Sequence, residues 1–213
     1  MKRIIGLTLA LLLMIGIIGA GTLAAYRNTE PSPNNAFAAG TLNLIVNGVD
    51  DGVGIAEFTV TNANPGQTGA GTWTLVNAGD LAGYIDTENI TVTNAENYNA
   101  ATDQAEAVDD ADTSDLTGGG ELAANMDVVL FVDDGAGTPA NANNGVLDAG
   151  EVTIYSGKLS GIASAYDQNL ALAAGATTYI SMTWSVALAV DNTIMGDSAT
   201  LDLIFELAQT TGQ

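Results

Sequence analysis

The chain has 213 residues, 47% of them hydrophobic, enough to fill the core of one large or two small domains. Four basic residues stand against 25 acidic ones, a formal charge of −21; a surface this negative repels nucleic acid and anionic lipid and favours divalent cations. With no Cys and no His, disulfide frameworks, thiol chemistry, histidine general bases and the usual zinc ligands are excluded.

Residues 1–3 form a short positive region and residues 4–20 an uninterrupted apolar run. Thr22-Leu23-Ala24 then sets small or neutral residues before Ala25. A signal peptidase would cut between Ala24 and Ala25, removing residues 1–24 as a signal peptide. Two other readings are an uncleaved anchor, roughly long enough to span a bilayer, and a pilin-type leader, which lacks its early acidic residue. After cleavage only Arg27 and Lys158 remain basic, and two positive charges against all 25 acidic residues leave −23. Residues 26–36 are polar and carry Pro31 and Pro33. Proline fixes φ and donates no hydrogen bond, so residues 25–40 read as an extended arm and linker, with Phe37 near its end. A free extended segment ahead of a β-rich body is what strand addition requires. The expectation is a secreted fibre subunit.

The folded domain is expected over residues 41–213. Leu42, Leu44 and Val46 alternate with Thr41, Asn43 and Ile45, and residues 56–61 alternate cleanly, ending at Asn64-Pro65-Gly66. Residues 72–76 end at Asn77-Ala78-Gly79, and Ile85 and residues 90–93 make two short β segments. Each shows period-two alternation bounded by turn residues. Residues 94–125 are acidic and Ala-rich, with too few large apolar side chains for a core of their own. They read as a surface excursion with a short helix near 101–111. Residues 127–132 and 152–155 are strands, 170–174 a helical turn, and 177–187 and 197–207 long strands, the last with Ala199, Leu201, Leu203 and Phe205 on one face. Roughly eight strands with little helix predict an all-β, two-sheet sandwich of jelly-roll type, with a free N-terminal arm and an acidic insertion.

The loop over residues 133–151 contains the second half of an EF-hand-like pattern. Asn144 would supply an amide oxygen, Gly145 the turn, and the Val146 carbonyl, Asp148 and Glu151 the later ligands. Ala140 and Ala142 stand where the first carboxylates belong, and Asp133 and Asp134 would replace them if residues 135–140 are an inserted bulge. Two readings follow: a weak calcium site, or an acidic hairpin loop whose carboxylates are simply solvated. No catalytic constellation stands out. Ser164 has no nucleophile-elbow glycine pattern and no His to activate it. Trp73 and Trp184 would form either core or a sugar-stacking platform, and their alternating strands favour core. Asn89-Ile90-Thr91 is a glycosylation sequon inside an expected strand.

The runs 21–26 (GTLAAY) and 36–44 (AFAAGTLNL), the stretch 64–79 with its NPG and GTWTLVNAG motifs, and residues 196–207 (GDSATLDLIFEL) resemble the TasA–camelysin family of exported fibre proteins. The resemblance implies processing by a SipW-type signal peptidase and a jelly-roll subunit whose N-terminal arm inserts into the next subunit. By position the donor arm would be Ala25, Tyr26, Arg27, Asn28 and Thr29. It further implies a head-to-tail homopolymer that bundles laterally with neighbouring filaments at the cell surface, with cations bridging the negative charge. Some relatives carry a metalloprotease label, but an HExxH motif needs two histidines and this chain has none, so no enzymatic activity is expected. The other class of function consistent with the chain is a monomeric or lattice-forming carbohydrate-binding module of the cell surface.

Overall fold

The computed structural model describes residues 40–50, 56–96, 119–136 and 138–211. The expected cleavage site at Ala24 and Ala25, the donor arm to Thr29 and the expected helix near 101–111 lie outside the described residues. Within them, alternating apolar side chains build two antiparallel sheets that face each other. In the larger sheet, β4 (Thr68–Asn77) turns Trp73 and Leu75 inward, β6 (Met126–Val132) turns in Met126, Val128, Leu130 and Val132, and β9 (Thr177–Val186) turns in Ile180, Met182, Trp184 and Val186. Period-two patterning leaves each strand one apolar face, and burying that face is what draws the sheets together.

The larger sheet has the order β2-β1-β4-β9-β6-β7, where β1 is Leu44–Val46, β2 Val49–Asp50 and β7 Thr153–Lys158. The smaller has the order β3-β10-β5-β8, with β3 Ala56–Thr61, β5 Gly83–Ala95, β8 Tyr166–Leu172 and β10 Ser198–Ala208. The inward side chains of both sheets join one core cluster. Trp73 sits at its centre, edge-on to Phe58 and Phe205 of the opposite sheet, with ring centroids 6.4 and 6.2 Å away. Each such pair contributes about 0.5–1.5 kcal/mol beyond area burial. Trp73 is 2% exposed and Trp184 8%. Neither ring offers a face for a sugar. The all-β two-sheet sandwich is thus what the alternation predicts, and Ala199, Leu201, Leu203 and Phe205 share the buried face of β10.

Three local expectations change and one unexpected hairpin is added. The segments around Ile85 and residues 90–93 are one 13-residue strand, β5, whose register against β10 shifts between the pairs Asp202↔Thr91 and Ile204↔Glu88. Asn89, the sequon residue, sits exposed in that bulge with φ +46°. Residues 170–172 are not a helical turn. They end β8, because pairing with β5 (Gly83↔Leu172, Ile85↔Leu170) outweighs the helical preference of an Ala-Leu run. Asn47-Gly48, both at positive φ, forms a two-residue turn that pairs Val46 with Val49 and adds a hairpin the alternation alone does not reveal. Finally, the excursion does not extend to Asn125 as surface: the short helix α1 (Leu122–Asn125) buries Leu122 and Ala123 in the core.

Candidate functional site

The described chain begins where the expected arm would end, and that beginning is bolted down. Thr41 donates its backbone N–H and its hydroxyl to the Asp80 carboxylate, the hydroxyl at 3.2 Å. The Thr41 carbonyl accepts the N–H groups of Asp80 and Leu81 at 3.1 and 3.2 Å, and Asn43 accepts that of Ala78 at 2.7 Å. The donors from Thr41 hold the Asp80 carboxyl below its ordinary value of 3.8. Gly79 explains the close fit: a Cβ there would run into the Thr41 carbonyl and stand 2.8 Å from the Asn43 nitrogen. Beneath this turn lies the fully buried Asn77, whose side-chain amide donates to the Leu81 and Leu172 carbonyls at 2.8 and 3.2 Å and accepts from Gly79 at 3.1 Å. The Asn77-Ala78-Gly79 turn is therefore the fastening point for residues 41–43, and through Leu172 it also ties in the smaller sheet.

Beside that fastening point runs the C-terminal half of β10. β3 pairs with β10 from Ser198 to Leu203, and no described strand pairs with Ile204–Ala208 on that side. A groove of about 520 Å³ lies here, lined by Leu42 and Leu44, by Glu88 and Asn89, and by residues 204–207. Ile204 is 42% exposed in it. A groove lined by apolar side chains along a strand is the kind of surface that an incoming extended segment can occupy.

The acidic loop is organised by hydrogen bonds. Asp133, fully buried, accepts the N–H of Asn144 at 3.2 Å, the N–H of Gly145 at 2.8 Å and the Ser181 hydroxyl at 2.7 Å. Ser181 pairs in register with Phe131, which is buried yet outside the core cluster, so the loop closes over the outer face of the larger sheet. Asp148 accepts the amides of Asn141 and Asn144 at 2.8 and 2.9 Å. Glu151 accepts the N–H groups of Gly135 and Asp148 at 3.0 and 2.8 Å, and Val146 donates its N–H to the Asn144 side chain at 2.8 Å. Asp133, Asn144, Val146, Asp148 and Glu151 thus share one loop. Asp133 points toward the sheet while Asp148 and Glu151 hold the loop's far end.

Among the described residues, three carboxylates that could collect around one ion occur elsewhere: Glu96, Glu121 and Asp197. These come from three separated segments, so no local spacing betrays them; the only sequence signal is an acid at each end of the excursion. Lys158, the one basic residue among those described, pairs with Asp127 at 3.0 Å and caps the Asn125 carbonyl at 3.1 Å.

Among curated proteins none matches the chain. Residues 1–115, which include the apolar run, the fastened segment 41–43 and the whole of β4 and β5, match the family model described as camelysin metallo-endopeptidase. With more than half its length matched, and with residues 41–44 and the motif at 64–79 folded into the root of the sandwich, the chain belongs to the camelysin/TasA family.

Proposed function

We propose that the protein is a structural subunit of an extracellular filament, polymerising head-to-tail as the arm of one copy completes a strand edge of the next. Family membership suggests a secreted matrix protein, since the camelysin/TasA family is generally extracellular or surface-associated. The observation that carries the reading is the groove along Ile204–Leu207, flanked by Leu42 and Leu44, in which Ile204 is 42% exposed. In this reading the arm, residues 25–29, lies along that groove in a neighbouring copy. It supplies backbone partners and covers Ile204. A contact between an arm and a distant groove is heterologous, so it propagates instead of closing. The fastening of residues 41–43 to the Asn77–Leu81 turn gives the arm a rigid root, so its departure to a neighbour leaves the core undisturbed.

Catalysis has no part in this reading. The matched family is described as a metallo-endopeptidase, but an HExxH zinc site needs histidines and the chain contains none. The test is negative-stain electron microscopy of the purified protein beside two variants, one lacking residues 25–35 and one carrying Ile204→Asp. Fibres from the parent and dispersed, folded particles from both variants are expected. Fibres from the arm-deleted protein would sink the arm, and fibres from Ile204→Asp would move the acceptor to another edge.

A further inference from the structure

Glu96 follows the end of β5, Glu121 precedes α1, and Asp197 precedes β10, yet one oxygen of each lies within 4.8 Å of the other two. Asp197 is fully buried. Its Oδ2 accepts the Leu122 N–H at 2.8 Å, while its Oδ1, also buried, has no hydrogen-bond partner. The backbone is shaped around this carboxylate: a Cβ at Gly120 would stand 2.5 Å from Asp197 Oδ2, so only glycine leaves it room. Burial pushes the Asp197 carboxyl above its ordinary value of 3.8. The single described basic side chain, Lys158, is engaged with Asp127 and Asn125.

We propose that Glu96, Glu121 and Asp197 form a calcium site that ties the end of β5, the start of α1 and the start of β10 to one another. The donor set is all oxygen, which selects a hard cation. Calcium accepts an irregular set of carboxylates completed by carbonyls and water, whereas magnesium demands near-octahedral geometry and gives up its waters reluctantly. The ion supplies the partner that the buried Asp197 oxygen lacks and removes the mutual repulsion of three neighbouring carboxylates. It also holds together the two chain ends that flank residues 97–118. This site is distinct from the loop at 133–151, and it stands whether or not the protein forms filaments.

The experiment is calorimetric titration of calcium chloride into chelator-stripped protein, with thermal unfolding followed in parallel. Saturable binding is expected, with a rise in Tm of about 5–10 °C once calcium is about a hundredfold above Kd. The near-isosteric variants Glu96→Gln and Glu121→Gln should keep the parent's circular dichroism and lose affinity by about tenfold or more, because ligand charge sets the strength of such sites. The double variant Asp148→Asn/Glu151→Gln should respond to calcium like the parent. Three results would overturn the proposal: undiminished affinity in both glutamine variants, a response lost only in the loop variant, or no binding up to about 10 mM, above the range of extracellular calcium modules.

Discussion

Asn77 offers the sharpest test of how the root of the sandwich is held. Its side chain makes three hydrogen bonds, one buried, to the Leu172 carbonyl, and two part-buried, to the Leu81 carbonyl and from the Gly79 N–H. Asn77→Ala leaves all three partners without it. A buried group left unsatisfied costs about 1–3 kcal/mol and each part-buried bond about 0.5–1.5, so the loss should total about 2–6 kcal/mol. For a domain of this size that lowers Tm by about 4–24 °C. Asn77→Asp discriminates further, because it keeps the acceptor for Gly79 but aims a carboxylate at two carbonyls. The buried acid then resists ionisation, so its folded pKa rises above its unfolded value. Stability relative to the parent should be best below pH ~3.9, the unfolded carboxylate value, and fall as pH rises through the folded pKa. Thermal and urea unfolding of both variants across pH 3–8 would measure this. A loss under about 1 kcal/mol for Asn77→Ala would refute the account, given the cost of unsatisfied groups. So would an Asn77→Asp profile that ran parallel to the parent's.

Three other expectations follow from single contacts. Gly79→Ala drives a methyl into the Thr41 and Asn43 backbone, which cannot swing aside as a side chain would; a loss of about 1–3 kcal/mol is expected in urea unfolding, with shorter or fewer fibres if the root governs the arm. Asp133→Ala strips acceptors from the Asn144 and Gly145 N–H groups and from Ser181, and should cost about 3–5 kcal/mol, whereas Ser181→Ala should cost about 1. The lowered carboxyl of Asp80 means that its tether to Thr41 is intact at and above the unfolded value of 3.8 and is lost as pH falls through the lower folded value. The Thr41 amide proton shift should titrate with a midpoint below 3.8, and a midpoint at or above it would remove Asp80 as the anchor.

The fold class was legible because it depends on period two. β4, β9 and β10 keep their alternation over seven or more residues, so their buried faces could be read directly, whereas β6 was legible as a continuous apolar run. What failed were features decided between strands. The bulge at Asn89 is a mismatch of register between β5 and β10, and register is a property of the pair. Residues 170–172 carry a local preference for helix that pairing with β5 overrides. Leu122 and Ala123 lie in a window whose acids and glycines dilute two apolar residues, although the core receives both. The Asn47-Gly48 hairpin, by contrast, was readable: an Asn-Gly pair between Val46 and Val49 is a strong turn signal. The candidate sites divide the same way. The acidic loop was visible as a contiguous run, but Asp133's role as an acceptor for backbone N–H groups and Ser181 depends on the sheet beneath it. Glu96, Glu121 and Asp197 were invisible because proximity across three segments leaves no spacing to read.

How a chain with a formal charge of −21 folds at all is answered by where its carboxylates point. Asp133, Glu151, Asp86 and Asp80 each accept backbone N–H groups, so peptide dipoles supply the compensation that basic side chains would provide in other proteins. Among the described residues Lys158 alone is basic, so a subunit has little positive charge to offer a neighbour. In the proposed filament, two neighbours approaching side by side would therefore meet as two negative surfaces. At about 0.15 M monovalent salt the Debye length is about 8 Å, so repulsion is already screened until the surfaces nearly touch. If screening alone limited bundling, sodium chloride at about 1 M, with a Debye length near 3 Å, should bundle filaments as well as calcium does. If carboxylates of neighbouring filaments must share an ion, millimolar calcium should bundle them, strong monovalent salt should not, and chelator should reverse it. Light scattering and electron microscopy of one preparation under the three conditions separate the cases. Bundling by salt alone would confine calcium to the interior of the subunit.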